Sequence, residues 1–268
     1  MKLAFIGAGV MGEAIIAGVL DKAVVSPADI AACDISAGRR DHLAKTYGVR
    51  VAAEPAAVSS QSDIVMLAVK PQEFPAAGRA LNSNLNGKQT VMSIMAGVPI
   101  DAIRSALKHE AIVRAIPNTP AQIGEGMTVW TATEAVPDSA RESVRTVLSV
   151  LGQEIYVADE RYIDMATAVS SSGPAYVFLV IEALIDAAVH IGLRRETAVP
   201  MVLQTVLGSA RYALETGKHP AELRNQVTSP GGTTTEGLME LEEAGVRAAF
   251  LHAVEAAYEK AKTLGGQK

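Results

Sequence analysis

The sequence predicts a doubly wound α/β domain with a mostly parallel sheet, followed by an all-α region. In the first half, short and continuously apolar runs alternate with helical stretches, and a glycine-rich turn follows the first run directly. An uninterrupted apolar run is typical of a strand that is buried on both faces of a parallel sheet. Strand-like runs end at about residue 159. We therefore expect an α/β domain over residues 1–159 and a helical domain over residues 160–268.

The individual elements follow from these runs and from the helical periodicity between them. The predicted strands are Lys2–Ile6, Ile30–Asp34, Val49–Val51, Asp63–Val69, Thr90–Ala96, Ala111–Ile116, Met127–Ala132 and Glu154–Val157. The predicted crossover helices are Gly12–Lys22, Ala37–Tyr47, Asp101–Lys108 and Pro137–Val150. Helical patterns then continue to the end of the chain, with breaks at 170–174, 192, 217–220 and 229–235.

Charge and cysteine content restrict the function classes. The 268 residues carry a formal net charge of -5, which argues against a nucleic-acid or anionic-membrane partner. The one cysteine, Cys33, excludes an internal disulfide and fits a reducing compartment. Glycines and Glu13 interrupt the first apolar run, unlike a signal peptide. We expect a cytoplasmic protein.

The most apolar later run, 176–193, contains Glu182, Asp186 and His190 at four-residue spacing. This run is interpreted as too polar and too short to span a bilayer. No second helix offers a matching carboxylate–histidine pattern, and the five histidines show no metal-type spacing. We therefore expect no metal site.

The first glycine turn predicts a dinucleotide-binding site. Gly7, Gly9 and Gly12 have the G-x-G-x-x-G spacing between a buried strand and an apolar helix. In this motif, one glycine makes the tight turn, one lets a pyrophosphate approach the backbone and one lets helix and strand pack closely. The helix N-terminus at Val10 and Met11 then faces the phosphates. This is the Rossmann arrangement.

The residues after the second strand leave the choice of coenzyme open. Asp34 ends that strand about 20 residues beyond the third glycine, where a carboxylate accepts from the ribose 2′-OH of NAD. Ser36, Arg39 and Arg40 follow and could instead hold the 2′-phosphate of NADP. A carboxylate about 4 Å from that phosphate costs on the order of 4 kcal/mol at an effective dielectric of about 20.

Two later strand ends point to the same crevice. Ala68, Val69 and Lys70 close the fourth strand, and Asn118 follows the sixth. The carboxyl ends of parallel strands line the ligand crevice in such folds. We expect Lys70 to contact the coenzyme and Asn118 to lie near the nicotinamide.

A second glycine turn lies near the end of the chain, in the segment 228–241. Gly231 and Gly232 precede Thr233, which with Glu236 has the spacing of a capping box. The amides at the start of the following helix would form an anion site. An ordinary capped connection between two helices explains the same spacing.

Five segments together resemble the pyrroline-5-carboxylate reductases. The most specific is LRNQVTSPGGTTTEGLMEL at 223–241. The segments FIGAGVMGEAII (5–16), AVKPQ (68–72), IPNTPA (116–121) and AVSSSGPAYVF (168–178) occur in the expected order. The resemblance covers the whole chain. It implies a Rossmann domain followed by a helical dimerisation domain, with assembly as a homodimer that is often part of a decamer.

The resemblance also implies site residues and a reaction. Ser229 would lie in the substrate site, and Gly231, Gly232, Thr233 and Thr234 would supply amides to the substrate carboxylate. Thr234 would act as the catalytic residue, with its hydroxyl near the ring nitrogen. The reaction is hydride transfer to the C=N bond of 1-pyrroline-5-carboxylate, giving L-proline in the last step of proline biosynthesis. Family members usually prefer NADPH, and some use NADH.

Two alternatives differ from this interpretation. A reductase of the β-hydroxyacid dehydrogenase type would carry a lysine acid/base on the helix near residue 174, but no lysine lies between Lys108 and Lys218. A nucleotide-binding sensor without turnover would not need the segment 231–234.

The proposed reaction needs few catalytic side chains. A cyclic imine that is already protonated needs little acid catalysis, so the positioning of the nicotinamide and substrate rings could supply most of the rate enhancement.

Overall fold

The computed structural model of the protein describes residues 1–81 and 84–264. Its first half forms an eight-stranded sheet, which confirms the predicted fold class. The strands are β1 Leu3–Ile6, β2 Ile30–Cys33, β3 Arg50–Ala52, β4 Ile64–Leu67, β5 Thr90–Ser93, β6 Ile112–Ile116, β7 Gly126–Ala132 and β8 Gly152–Tyr156. Each overlaps a predicted strand, and the observed and predicted ends differ by at most three residues.

The strand order is β3-β2-β1-β4-β5-β6-β7-β8. The first six strands are parallel, β7 runs antiparallel to β6, and β8 is parallel to β7. Because β1 lies between β2 and β4, the chain changes direction across the sheet at the carboxyl end of β1. Such a switch point is where open α/β sheets bind their ligands.

Six helices accompany the sheet: α1 Val10–Asp21, α2 Ala37–Tyr47, α3 Ala56–Ser59, α4 Phe74–Leu81, α5 Ile100–Leu107 and α6 Asp138–Ser149. The short α3 and α4 were not among the predicted helices. In α4, Pro75 and Gly78 weaken the helical pattern, although proline is tolerated in a first turn. Gly78 is buried and lies against Ala106 of α5, so packing outweighs its poor propensity.

Both faces of the sheet are covered, as the apolar strand runs predict. In β1, Leu3 and Phe5 belong to one core cluster, and Ala4 and Ile6 belong to another. Helices α1 and α6 contribute to the first cluster, and α3, α4 and α5 contribute to the second. All four side chains of β1 are at most 2% exposed. Full burial of a leucine, isoleucine or phenylalanine side chain such as these adds about 1.5–3 kcal/mol.

The second half is helical: α7 Arg161–Ala166, α8 Gly173–His190, α9 Arg195–Thr216, α10 Pro220–Gln226, α11 Thr233–Glu243 and α12 Val246–Leu264. A π-helical turn, Thr167–Ser171, joins α7 to α8. The described chain divides into two compact units, residues 1–172 with residues 257–264, and residues 173–256. A domain boundary between residues 159 and 160 remains a prediction.

One helical stretch, Arg161–His190, is long and apolar enough to cross a membrane by length and composition. The sequence expectation concerned only residues 176–193, and it stays a prediction. It did not consider that the π-helical turn makes α7 and α8 continuous over 30 residues.

Candidate functional site

The first glycine turn has the geometry that its spacing predicts. Gly7 has a φ of 83°, and a Cβ there would lie 2.7 Å from Val69 Cγ1 and 2.8 Å from the Ala68 carbonyl oxygen. A Cβ at Gly12 would lie 3.1 Å from the Gly7 carbonyl oxygen, so helix and strand approach closely. No heavy atom lies within 4 Å of a Cβ placed on Gly9, which leaves space for a ligand.

Unpaired amides surround this turn. Gly9 is the N-cap of α1, and the amides of Val10, Met11 and Gly12 have no hydrogen-bond acceptor within the part of the chain that the structure describes. A helix N-terminus with free N–H groups favours a bound phosphate. The turn is thus suited to the pyrophosphate of a dinucleotide.

A cleft of about 530 Å³ lies beside the turn. Six of the predicted coenzyme residues line it: Gly7, Gly9, Asp34, Ala68, Val69 and Lys70. Val10, Met11, Gly12, Ser36, Arg39 and Asn118 are not among its lining residues. The cleft also takes in residues that the sequence reasoning did not name: Ile35, Ala53, Glu54, Pro55, Glu73, Ala76, Ala77 and Ala80. The residues at 53–55 follow β3, so the rule of strand ends could have found them.

The Asp34 carboxylate fixes the loop after β2. Its Oδ2 accepts the Ala8 N–H at 3.0 Å, and its Oδ1 accepts the Ser36 N–H at 2.9 Å. Ser36 is the N-cap of α2, and its Oγ accepts the Arg39 N–H at 3.3 Å. Arg40 Nη1 donates to the carbonyl oxygens of Asp34 and Ile35 at 2.7 and 3.0 Å. Asp34 therefore connects the glycine turn to α2.

Arg39 lies against the glycine turn. Its Nε donates to the Ala8 carbonyl at 2.5 Å, its Nη2 donates to the Gly9 carbonyl at 3.3 Å, and Nη2 is also paired with the Glu13 carboxylate. Glu13 Oε1 receives His42 Nε2 at 2.7 Å and the Tyr47 hydroxyl at 2.9 Å. Burial opposes ionisation, but the hydrogen bonds from His42, Arg39 and Tyr47 hold the pKa of Glu13 below its usual value.

This Glu13 cluster was missed by the sequence reasoning because the partners of Glu13 lie 26 to 34 residues from it in sequence. Cys33 also lines the cleft, but its thiol is held in the protonated, unreactive form. Burial, followed by the nearby charges of Asp34 and Glu54, raises its pKa to about 11, and Sγ donates to the Ala53 carbonyl at 3.2 Å.

Asn118, which follows β6, connects β7 to the π-helical turn. Its Nδ2 donates to the Ser170 carbonyl at 3.2 Å, and its Oδ1 accepts the Met127 N–H at 2.9 Å. Ser170 belongs to the π-helical turn, and such turns often occur at functional sites. A position for Asn118 near the nicotinamide remains a prediction.

A buried ion pair supports the same region and was also missed. Arg114 of β6 is 1% exposed, and its Nη1 and Nη2 contact Glu160 Oε1 at 2.8 Å and Asp164 Oδ1 at 2.6 Å. Glu160 Oε1 also accepts the Ile100 N–H at 2.8 Å. These bonds hold α7, and with it the π-helical turn, against the sheet.

The second glycine turn lies between α10 and α11. Gly231 has a φ of 68°, and Gly232 is extended as the N-cap of α11. The Gly232 N–H donates to the Ser229 carbonyl at 3.0 Å, and Thr235 Oγ1 donates to the same oxygen at 2.8 Å. Ser229 therefore closes the turn.

The amides of Gly231, Thr233 and Thr234 have no acceptor among the described residues. The predicted capping box is wrong, because Thr233 is the first helical residue and no side chain caps α11. The extended Gly232 takes the cap position, one residue earlier than predicted. A pocket of about 400 Å³ nearby is lined by residues of α10 and α11 and by Thr228 between them, but by none of the five predicted substrate residues.

Among the described residues, no group of three or more histidine, cysteine, aspartate or glutamate side chains could hold a metal ion. In the second unit, Glu182 and His190 lie on α8, and Asp186 is paired with Arg195 at 2.6 Å. This acidic face of α8 thus takes part in a surface ion pair.

Two family models match the chain. Residues 160–264 match the family model for pyrroline-5-carboxylate reductase dimerisation. Residues 2–97 match the family model described as NADP oxidoreductase, coenzyme F420-dependent. A pyrroline-5-carboxylate reductase of Synechocystis is 42% identical over 99% of this chain and 98% of its own length. One of Methanosarcina acetivorans is 41% identical over 98% of each chain.

Solved structures are similarly close. A Plasmodium falciparum pyrroline carboxylate reductase with NADP bound has a TM-score of 0.90 and 31% identity, over 99% of this chain and 98% of its own. A pyrroline-5-carboxylate reductase of Coxiella burnetii has a TM-score of 0.90 and 36% identity, over 100% and 98%. Similarity of this kind extends through both glycine turns, so the chain belongs to the pyrroline-5-carboxylate reductase family of NAD(P)H-dependent oxidoreductases.

Proposed function

We propose that the protein reduces 1-pyrroline-5-carboxylate to L-proline with NAD(P)H, the last step of proline biosynthesis. The observation that carries this proposal is similarity to pyrroline-5-carboxylate reductases at about 40% identity over nearly the whole chain. The two glycine turns support it, because each leaves amides free at the N-terminus of a helix, and both the coenzyme and the substrate carry anionic groups.

The first turn and its cleft would bind the coenzyme. The amides of Val10, Met11 and Gly12 suit the pyrophosphate, and Gly9 leaves room for its approach. Asp34 would lie at the adenosine ribose, as the acidic residue does in the usual Rossmann arrangement, and Lys70 lines the same cleft. Ser36 and Arg39 would contribute to coenzyme binding indirectly, because their hydrogen bonds fix the start of α2 and hold it against the glycine turn.

The second turn would bind the substrate carboxylate. Since the Gly232 N–H is already bonded to Ser229, we assign the carboxylate to the amides of Gly231, Thr233 and Thr234. Ser229 and Gly232 then shape the turn. A Cβ on Gly232 would lie 2.5 Å from Ser229 Oγ, so this turn requires glycine there.

The chemistry requires few titratable groups. A bound nicotinamide coenzyme would supply a hydride to the carbon of an imine that is already protonated on nitrogen, so that the ring nitrogen ends as a neutral amine. The protein's amides fix the carboxylate, which orients the ring, and the Thr234 hydroxyl forms a hydrogen bond with the ring nitrogen. Orientation alone can lower a barrier by about 7–11 kcal/mol in favourable cases. No lysine between Lys108 and Lys218 is available for the acid/base role of a β-hydroxyacid dehydrogenase.

The protein would assemble as a homodimer, and further as a decamer, in the cytoplasm. The match of residues 160–264 to a dimerisation family model supports the dimer. Helices α8, α10 and α11 have no buried residue in the single chain, and large apolar side chains such as Phe178 and Leu179 are exposed. A subunit interface would cover this surface. It would also explain why the helical stretch Arg161–His190 is long and apolar.

A coupled assay tests the proposal. Purified protein should oxidise NADH or NADPH only when 1-pyrroline-5-carboxylate is added, and proline should accumulate in equal amount. Absence of oxidation with this imine under both coenzymes would reject the function. A β-hydroxyacid in the reverse direction with NAD⁺ or NADP⁺ serves as the control for the alternative reductase type.

A further inference from the structure

The charges that line the coenzyme cleft are mainly negative. Asp34, Glu54 and Glu73 contribute carboxylates, whereas Lys70 contributes the positive charge among the described lining residues. Glu73 also accepts the Lys70 N–H at 3.2 Å, which keeps this carboxylate next to the lysine. A 2′-phosphate would bring further negative charge into this cleft, whereas a 2′-hydroxyl would not.

The two arginines that could offset such a phosphate are engaged elsewhere. The guanidinium of Arg39 contacts the carbonyls of Ala8 and Gly9 and the Glu13 carboxylate. Arg40 donates to the carbonyls of Asp34 and Ile35. Neither arginine lines the cleft.

Glu13 is in turn fixed by more than its arginine. His42 and Tyr47, both from α2, donate to or share a proton with Oε1, while Oε2 faces Arg39. The Glu13 side chain is 22% exposed and that of Arg39 is 25% exposed, so the pair is only partly screened by water. Moving Arg39 to a 2′-phosphate would break its bonds to the turn and leave this carboxylate without its main counter-ion.

We infer that the chain selects NADH over NADPH, and that Glu13 is a specificity-determining residue because it holds Arg39 on the glycine turn. The inference rests on the proposed function and concerns the coenzyme of that same site. Asp34, held in place by the amides of Ala8 and Ser36, has lone pairs left to accept a ribose 2′-hydroxyl. This preference is the reverse of the one that is usual in the family.

Equilibrium binding without substrate tests the inference. The dissociation constants of NADH and NADPH are measured by fluorescence titration on the wild-type protein, with NADH expected to bind at least about tenfold more tightly, or ~1.4 kcal/mol. Equal affinities, or tighter binding of NADPH, would overturn the inference. Because the titration needs no imine, a failure here is distinct from a failure of the reductase assay.

Variants identify the residue that sets the preference. Glu13→Gln should release Arg39 and shift the ratio of dissociation constants toward NADPH by about tenfold. Tyr47→Phe is the matched control, since it removes one hydrogen bond to Glu13 but keeps the Glu13–Arg39 ion pair, and the ratio should stay within about twofold of wild type. Glu13→Gln with an unchanged ratio would contradict the assigned role. The ratio is independent of the fraction of folded protein.

Arg39→Ala separates the two possible roles of the arginine. If Arg39 fixes the turn, both coenzymes should bind more weakly by a similar factor. If only NADPH binding weakens, Arg39 contacts the 2′-phosphate in solution and the inference is wrong.

Discussion

The two glycine turns of the chain are built differently, although each opens a helix with free amides. Around the first turn, Gly7 is tightly enclosed by Ala68 and Val69 of the same unit. Around the second, a Cβ on Gly231 would meet no heavy atom within 4 Å, and Thr233 is exposed. The first turn is therefore completed by its own unit, whereas the second has open surroundings in the single chain.

The same contrast extends to the two compact units. The α/β unit has two extensive buried clusters, one on each face of its sheet. In the helical unit, α9 contributes the buried Ala198, while α8, α10 and α11 contribute no buried residue. A unit that leaves most of its apolar surface exposed depends on a partner for burial. This difference predicts that coenzyme binding and catalysis respond differently to loss of the dimer.

The largest effect on stability is expected at the Arg114 ion pair. Arg114→Met leaves the carboxylates of Glu160 and Asp164 uncompensated, which should lower the free energy of unfolding by about 3–5 kcal/mol. Arg247→Met removes an exposed pair with Glu242 in the helical unit and should change the free energy of unfolding far less, because water screens this pair. Urea denaturation compares the two, and equal losses would contradict the contrast between the units.

The second-largest effect is expected at the first glycine turn. Gly7→Ala combines a left-handed backbone, which costs about 1–2 kcal/mol, with overpacking that costs about 1–3 kcal/mol. Gly231→Ala has the same backbone strain but open space, so we expect about 1–2 kcal/mol. Thermal unfolding should rank Gly7→Ala as the more destabilised variant. The reverse order would mean that the second turn is the more constrained one.

A smaller effect, confined to catalysis, is expected at Thr234. Thr234→Ala should lower the turnover number about tenfold, or ~1.4 kcal/mol, because the hydroxyl no longer contacts the ring nitrogen. Thr234→Ser keeps the hydroxyl and should retain most of the rate. Coenzyme affinity, measured by fluorescence, should remain at the wild-type value in both variants. Parallel loss of turnover and coenzyme affinity would indicate that Thr234 supports the fold.

Much of the fold could be predicted because local patterns encode it. Apolar runs identified the strands, and the glycine spacing identified the turn between β1 and α1. Helix α4 was missed because Pro75 and Gly78 obscure its pattern and tertiary packing decides its structure. Local propensity is a weak guide where packing dominates.

The candidate site was less accessible to sequence reasoning. Asp34 and Lys70, which the strand ends indicated, line the cleft, and their contact with a coenzyme stays a prediction. The partners of Arg39 and Arg114 were not indicated, because ion pairs between residues distant in sequence leave no periodic signal. The capping box failed since two glycines before Thr233 allow the cap to shift by one residue.

One variant tests the central contrast most directly. Leu179 and Leu207 are exposed apolar residues of α8 and α9, and the double substitution Leu179→Glu/Leu207→Glu introduces charge into the proposed interface. Sedimentation should show monomers with unchanged helix content by circular dichroism. We predict that these monomers bind NADH with wild-type affinity but do not reduce 1-pyrroline-5-carboxylate. Monomers that reduce the imine at the wild-type rate would contradict the account.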